Sequence, residues 1–316
     1  MNMLRRYLSP LLLPLAIMAL AAVFLFNRGT AQSGTSTADP EKKKIVFIAG
    51  KASHGPGEHE HRAGCMLLAD HLNRSGLPVE AVVVTNGWPE DESVFQGASA
   101  IVIYADGGAR HPAMPHLGKL RQMANAGVGI GCIHYGVEIP NGAPGDSFLD
   151  LIGGYFATDW SVNPHWDANF KDLPKHPVTR GIDDFQIRDE WYYHMRFRAG
   201  MEGVTPILSD LPPEQTLKRG DGPHSNNPHV REAVLERKEP QHVMWVFERP
   251  ASLGGGRGFG FTGGHFHRNW KHDDHRGVVL NAIAWIANLD IPEKGVPTQT
   301  PTDDQMAANL DEKGRR

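Results

Sequence analysis

Gly129-Ile-Gly-Cys-Ile-His-Tyr-Gly136 decides how this chain is read. Its apolar run has the pattern of a strand buried on both faces, and it stops abruptly in a glycine-bounded turn that carries His134. An α/β protein that uses such a strand-to-helix elbow for chemistry normally places a nucleophilic Cys or Ser there. An imidazole in that position points to general-base or metal-ligand work and directs attention to the other histidines.

Outward from the elbow, similar runs recur. Lys44-Ile-Val-Phe-Ile-Ala-Gly50 reads as the first central strand, followed by a helix from Glu58 to Arg74 with Met66, Leu67, Ala69 and Leu72 at near-helical spacing. Val79 to Thr85 and Ala98 to Asp106 are further strands, and Pro115 to Asn125 is the clearest connecting helix. This alternation predicts an α/β fold with a doubly wound, mostly parallel sheet over residues 44–290. From Gly153 to Pro240 it gives way to an irregular, aromatic-rich insertion containing a strand at Val204 to Leu208, read as strands and long loops covering one side of the sheet. Val243 to Glu248 and Arg257 to Thr262 restore strands, and Asp273 to Leu289 is a helix burying Val278, Val279, Ala282, Ile283 and Ile286. Residues 291–316, rich in Pro, Thr, Asp and Lys, read as a flexible tail.

The N-terminus stands apart from the fold. Two arginines precede a nearly unbroken apolar run from Leu8 to Phe26, and small polar residues follow, so residues 1–33 read as an export signal and 34–43 as a linker. At roughly 19 residues the run also approaches the roughly 20 that span a bilayer, which keeps an uncleaved anchor open. Either way the domain is expected outside the cytoplasm, periplasmic or extracellular, touching a membrane only through this segment. No cysteine follows the run to accept a lipid.

With 32 Lys and Arg against 36 Asp and Glu, the chain has no basic excess that would suit nucleic acid. Its two cysteines, Cys65 and Cys132, exclude a disulfide scaffold and read as buried thiols, with a pairing between them left open.

In open α/β sheets the carboxyl ends of the strands form the ligand crevice. His54 follows the first strand, His134 ends the fourth, and His265 with His267 follows Phe259-Gly-Phe-Thr-Gly-Gly264. Imidazoles converging from separate strand ends suit a zinc-like divalent ion, so His54, His134 and His265 are the candidate metal ligands. Glu190 is the candidate carboxylate and, with His134, the candidate catalytic pair. His59 and His61, two apart at the start of the first helix, should diverge, and His59 is the better placed. Trp160, Trp166, Trp191, Tyr192 and Tyr193 cluster beside Asp159, Asp167 and Glu190. Such a cluster either holds sugar rings or caps the sheet as a second small core. On the first reading Trp160, Trp191 and Tyr193, with His165 and His267 on the pocket wall, bind a carbohydrate.

Nucleophile readings fare poorly. Cys132 lies inside the strand, two residues before the elbow position, and Ser53-His54 lacks the Gly-x-Ser-x-Gly frame. The glycines of Gly254-Gly-Gly-Arg-Gly258 precede a strand and read as a hairpin turn, not a phosphate loop.

At these residues the chain resembles the ThuA-like (trehalose utilisation) family, similar in fold to class I glutamine amidotransferases. The resemblance covers roughly Lys44 to Leu289. It rests on Ser53-His54-Gly55-Pro56-Gly57 with His59, the elbow with His134, His176-Pro177-Val-Thr-Arg-Gly181 leading to Asp189-Glu190 and Tyr193, and Gly263-Gly-His265. It implies a flavodoxin-like sheet, loss of amidotransferase chemistry, and a link to disaccharide or oxidised-sugar catabolism. The expectation is an exported enzyme acting on a disaccharide or keto-sugar by metal-assisted or acid-base chemistry of hydrolase, lyase or isomerase type, without a Cys nucleophile. The alternatives are a non-catalytic carbohydrate-binding module and, more weakly, a residual amidase or protease using Cys132.

Overall fold

The first strand, β1 (Lys43–Ala49), is buried from Ile45 to Ala49, with Ile45, Phe47 and Ala49 in one apolar cluster and Val46 and Ile48 in another. That two-sided burial makes the run continuously apolar, as expected of a strand covered by helices on both faces. The computed structural model describes residues 41–313, so the export or anchor segment lies outside the described residues. Among the described residues no helix is long and apolar enough to cross a membrane.

The chain continues through α1 (His61–Arg74), β2 (Val79–Val84), β3 (Ala98–Tyr104), α2 (Leu117–Asn125), β4 (Gly129–Ile133) and α3 (Ala143–Ile152). In the insertion, β5 (Gly154–Tyr155) pairs with β8 (Arg196–Phe197), and β6 (His165–Phe170) with β7 (Phe185–Glu190). After β9 (Val204–Asp210) and a short α4 (Pro228–Arg231) come β10 (Gln241–Glu248), β11 (Arg257–Phe261), α5 (Asp273–Ile286) and α6 (Asp303–Ala307). The central sheet has the order β2-β1-β3-β4-β11-β10-β9. Pairing is parallel from β2 to β11, and β10 runs antiparallel to both its neighbours. This is the mostly parallel, flavodoxin-like sheet that the sequence predicts. Helices α1 and α5 pack on one face, α2 and α3 on the other.

At Gly131, in the middle of β4, an added Cβ would stand 2.1 Å from the Phe259 ring, so the strand that leads to the elbow needs a bare backbone there. Cys65 on α1 and Cys132 on β4 are free thiols buried in the clusters on opposite sides of the sheet, and burial pushes both pKa values up. The sheet itself separates them.

The segment after residue 290 differs from the loose tail its composition predicts. Ile291 and Val296 are buried, Asn281 holds the Val296 amide at 2.8 Å, and α6 begins with a Thr302/Gln305 capping box. Polar composition does not keep a segment free when buried side chains of the domain satisfy its backbone.

Candidate functional site

Three histidines of the site take left-handed backbone conformations, His54 at φ 58°, His59 at 46° and His134 at 54°. Non-glycine residues rarely do so, and such positions concentrate where the fold over-determines a functional geometry. His134 stands at the end of β4, His59 just before α1, His265 in the loop after β11, and Glu190 at the end of β7.

Their side chains meet. His59 Nε2 lies 3.0 Å from His134 Nε2 and 3.1 Å from His265 Nδ1, while Glu190 Oε2 lies 3.1 Å from His265 Nδ1 and 3.5 Å from His134 Nε2. His59 and His134 are fully buried and His265 nearly so, whereas the Glu190 side chain is 14 % exposed. The outer nitrogens fix the tautomers. His59 Nδ1 donates to Asp106 Oδ1 at 2.9 Å, and His134 Nδ1 donates to the Thr262 carbonyl at 2.8 Å. Both Nε2 atoms therefore present lone pairs toward each other at 3.0 Å, an arrangement that a cation between them would stabilise. A tetrahedral ion with bonds of about 2.0–2.1 Å separates its ligand atoms by about 3.3 Å, which the four spacings bracket. Imidazoles whose second N–H is committed to a carboxylate or carbonyl are the usual form of metal-binding histidine.

Electrostatics in the set pull in opposite directions around one anion. Burial, then the rings of His134 and His54, holds His59 far below the ordinary imidazole range. Burial works to raise the Glu190 pKa, but the neighbouring His134 and His265 rings outweigh it and hold the carboxyl well below its ordinary range. Burial alone would lower His265, yet Glu190 raises it overall. Tyr192 Oη stands 3.2 Å from His134 Nε2, and burial holds this phenol neutral, a donor rather than a phenolate.

Asp189, one residue before Glu190 and fully buried, organises the loop that carries His265. It accepts from the Gly264 amide at 2.7 Å and the Phe266 amide at 3.3 Å, with His275 Nε2 3.7 Å away. Burial favours its neutral form, but His275 and the Gly264 amide prevail and hold its pKa at about 2.

The structure brings His134, His265 and Glu190 together, and the third histidine of the cluster is His59 rather than His54. His54 is not in the inner set; it stacks on His59 with ring centroids 3.5 Å apart and belongs to an outer group with Asp106. His59 occupies the inner corner. The expectation that His59 and His61 diverge fails because the helix starts only at His61. Both rings approach Asp106, His61 Nε2 at 3.7 Å.

The proposed sugar-binding aromatics are also redistributed. Extended backbone alternates its side chains, so Glu190 and Tyr192 face the site while Trp191 and Tyr193 face the core. Trp191 is fully buried against Phe170 and Phe261, and its indole donates to the Ile187 carbonyl at 3.1 Å. Tyr193 is buried with its hydroxyl 2.7 Å from Thr216 Oγ1. Trp160 stacks on His194 under Arg196, beside a different depression. His267 is buried and donates to the Met306 carbonyl at 3.0 Å, anchoring the C-terminal segment. His165 keeps its predicted place at the mouth, 3.7 Å from Glu190 and against His265.

Sequence reasoning missed Asp106 and Tyr192 as site residues. A strand-end signal existed for Asp106, which closes the run Ala98 to Asp106, and period-two alternation from Glu190 would have separated Tyr192 from its neighbours. Beside the outer group opens a cleft of about 950 Å³ lined by Ser53, His54, Asn86, Trp88, Asp106 and Arg110, at the carboxyl ends of β1, β2 and β3.

An amidotransferase-like α/β sheet whose elbow carries a buried imidazole, with both thiols sealed in the core, defines an α/β protein of that fold without its nucleophile. The chain belongs to the ThuA family, described as trehalose utilisation, whose family model matches residues 46–286. Two solved structures share the fold. A ThuA-like protein from Bacteroides uniformis is 14 % identical with a TM-score of 0.56, the match covering 80 % of this chain and 94 % of that one. Another from Parabacteroides merdae is 15 % identical with a TM-score of 0.51, covering 83 % and 94 %. No curated protein matches the chain.

Proposed function

We propose that this chain is an exported enzyme that binds a divalent, zinc-like ion through His59, His134 and His265 and acts on a disaccharide or keto-sugar. The observation that carries the reading is the pair of imidazole lone pairs 3.0 Å apart, closed into a four-donor set by His265 and Glu190. Membership of a trehalose-utilisation family supports a sugar as substrate.

A divalent ion at such a site supplies Lewis acidity, polarising a carbonyl or activating a water. The chain's own residues do the rest. Glu190 is the one member of the set that reaches solvent, so it borders the approaching substrate and moves the proton. Tyr192 offers a neutral hydroxyl to an oxygen developing negative charge. The cleft lined by Trp88, Asn86 and Arg110 is large enough for a sugar and borders the outer group at His54 and Asp106. A non-catalytic sugar-binding module would lean on exposed aromatic faces, and Trp191 and Tyr193 offer none.

Elemental analysis of protein purified without a histidine tag tests the reading. One equivalent of a divalent transition metal in the wild-type chain, lost in His134→Ala, is the expected result. Two proteins equally free of metal after reconstitution would sink it.

A further inference from the structure

Lys313 lies 27 residues past the end of the family match at residue 286, yet its side chain is only 4 % exposed. Its ammonium pairs with Glu60 Oε1 at 3.2 Å, and Glu60 is itself buried. The same ammonium donates to the carbonyls of Glu58 and His59, the latter at 3.2 Å, and reaches the Gly55 carbonyl at 3.5 Å. Glu60 completes the knot: Oε1 accepts the Gly57 amide at 2.9 Å and Oε2 accepts the Asp311 amide at 2.9 Å.

A charge this deeply buried is costly unless fully paired. Here its partners are all in one six-residue stretch, Gly55 to Glu60, the loop that presents His59 in its left-handed conformation. The loop is also joined to the His265 loop, through the His59 amide to the His265 carbonyl at 3.0 Å and the His267 amide to the Gly57 carbonyl at 2.9 Å. From the outside, Arg62 clamps the strap by donating to the carbonyls of Asn309, at 3.0 Å, and Leu310, at 2.6 Å.

We propose that the C-terminal segment is a strap that sets the geometry of the metal centre, with Lys313 as its positioning residue acting through the Gly55–Glu60 loop on His59. The proposal rests on the metal reading above. Lys313 touches none of the four donor side chains; through the His59 carbonyl it fixes the backbone from which one of them projects, as outer-shell groups do for metal sites generally.

Cobalt(II) titration followed by visible absorption tests this on the full chain, Lys313→Met and Arg62→Ala, with far-UV circular dichroism as the check of folding. The wild-type chain should bind one cobalt with a ligand-field spectrum. Lys313→Met should bind about 10-fold or more weakly with a changed spectrum, because His59 no longer meets the ion in register. Arg62→Ala should shift both readouts the same way by less. A folded Lys313→Met with wild-type affinity and spectrum overturns the proposal, even if its melting temperature falls, since a purely structural role would lower stability alone. If Lys313→Met does not fold, an Arg62→Ala variant indistinguishable from wild type overturns it. A wild-type chain that takes up no cobalt breaks the metal reading itself, and the strap's role with it.

Discussion

Two buried histidine environments lie one strand apart in this sheet, and they differ in what surrounds the second ring nitrogen. His111, beyond β3, has a partner for each ring nitrogen: Nε2 donates to the Gly136 carbonyl at 3.1 Å, and Nδ1 accepts from the Ala113 amide at 3.1 Å. His134, beyond β4, spends Nδ1 on the Thr262 carbonyl and turns Nε2 toward another imidazole whose own proton is committed elsewhere. The first is a satisfied structural histidine. The second has the Tyr192 hydroxyl at 3.2 Å and, on the function proposed above, is held for an ion. Burial alone does not separate the two; the convergence of other ligating side chains on the last ring nitrogen does.

The largest expected effect separates these environments directly. His134→Ala should cost more than about 100-fold in affinity for a divalent ion, since loss of a ligand exceeds the roughly 10–100-fold cost of losing an outer-shell partner. His111→Gln should leave metal content at the wild-type level. Equal metal loss in both variants would break the distinction.

His111 should instead show itself in acid. Burial lowers its pKa from 6.5 to about 4 in the folded chain. Between those values the unfolded chain binds the extra proton and the folded one does not, so stability falls as pH drops from about 6.5 toward 4. Below 4 both states are protonated and the loss is complete, at about 3 kcal/mol from this group. Urea unfolding across that window, compared with His111→Gln, measures it. An unchanged slope in the variant would show that His111 is not the source.

Asp106→Asn tests the outer layer. Asp106 accepts from His59 Nδ1 and from Ser53 Oγ, both at 2.9 Å, and so holds the tautomer that aims His59 Nε2 inward. An amide can present its NH2 to His59 and reverse that tautomer. Metal affinity should fall about 10–100-fold with the fold intact. Isothermal titration with zinc on refolded apoprotein gives the number, and wild-type affinity would reduce Asp106 to a surface acceptor.

Much of this was legible in the chain, for identifiable reasons. Ile45 to Ala49 and Ile130 to Ile133 read correctly because two-sided burial leaves a continuous apolar run. His134 and His265 were placed because strand ends are visible as the point where such a run meets glycine. Contacts across loops were not legible. That His59 rather than His54 reaches the centre depends on a left-handed residue before α1, and the sequence shows no glycine at that position to announce it. Trp191 and Tyr193 read as a binding face because aromatic composition is visible in sequence, whereas the side of the strand each occupies follows from where β7 ends. The strap's order is not legible because its partners, Glu60, Arg62 and Asn281, are more than 200 residues away or in a helix of another element.

The smallest expected effect bears on the point where sequence and structure part. His54 stacks on His59 and lines the cleft, with its side chain 35 % exposed, while its nearest cluster contacts are Ser53 Oγ at 3.1 Å and Asp106 at 3.9 Å. Its removal takes away a ring face but none of the four inner donors, so His54→Ala should change metal affinity by no more than about threefold, well below the outer-shell range. Its effect should appear in substrate binding, as a raised KM with the metal still in place, because the ring forms the wall between cleft and centre. A His54→Ala protein that loses its metal as fully as His134→Ala would restore the set His54, His134 and His265. It would mean that the Gly55–Glu60 loop rearranges when the ion enters, exchanging one stacked imidazole for the other.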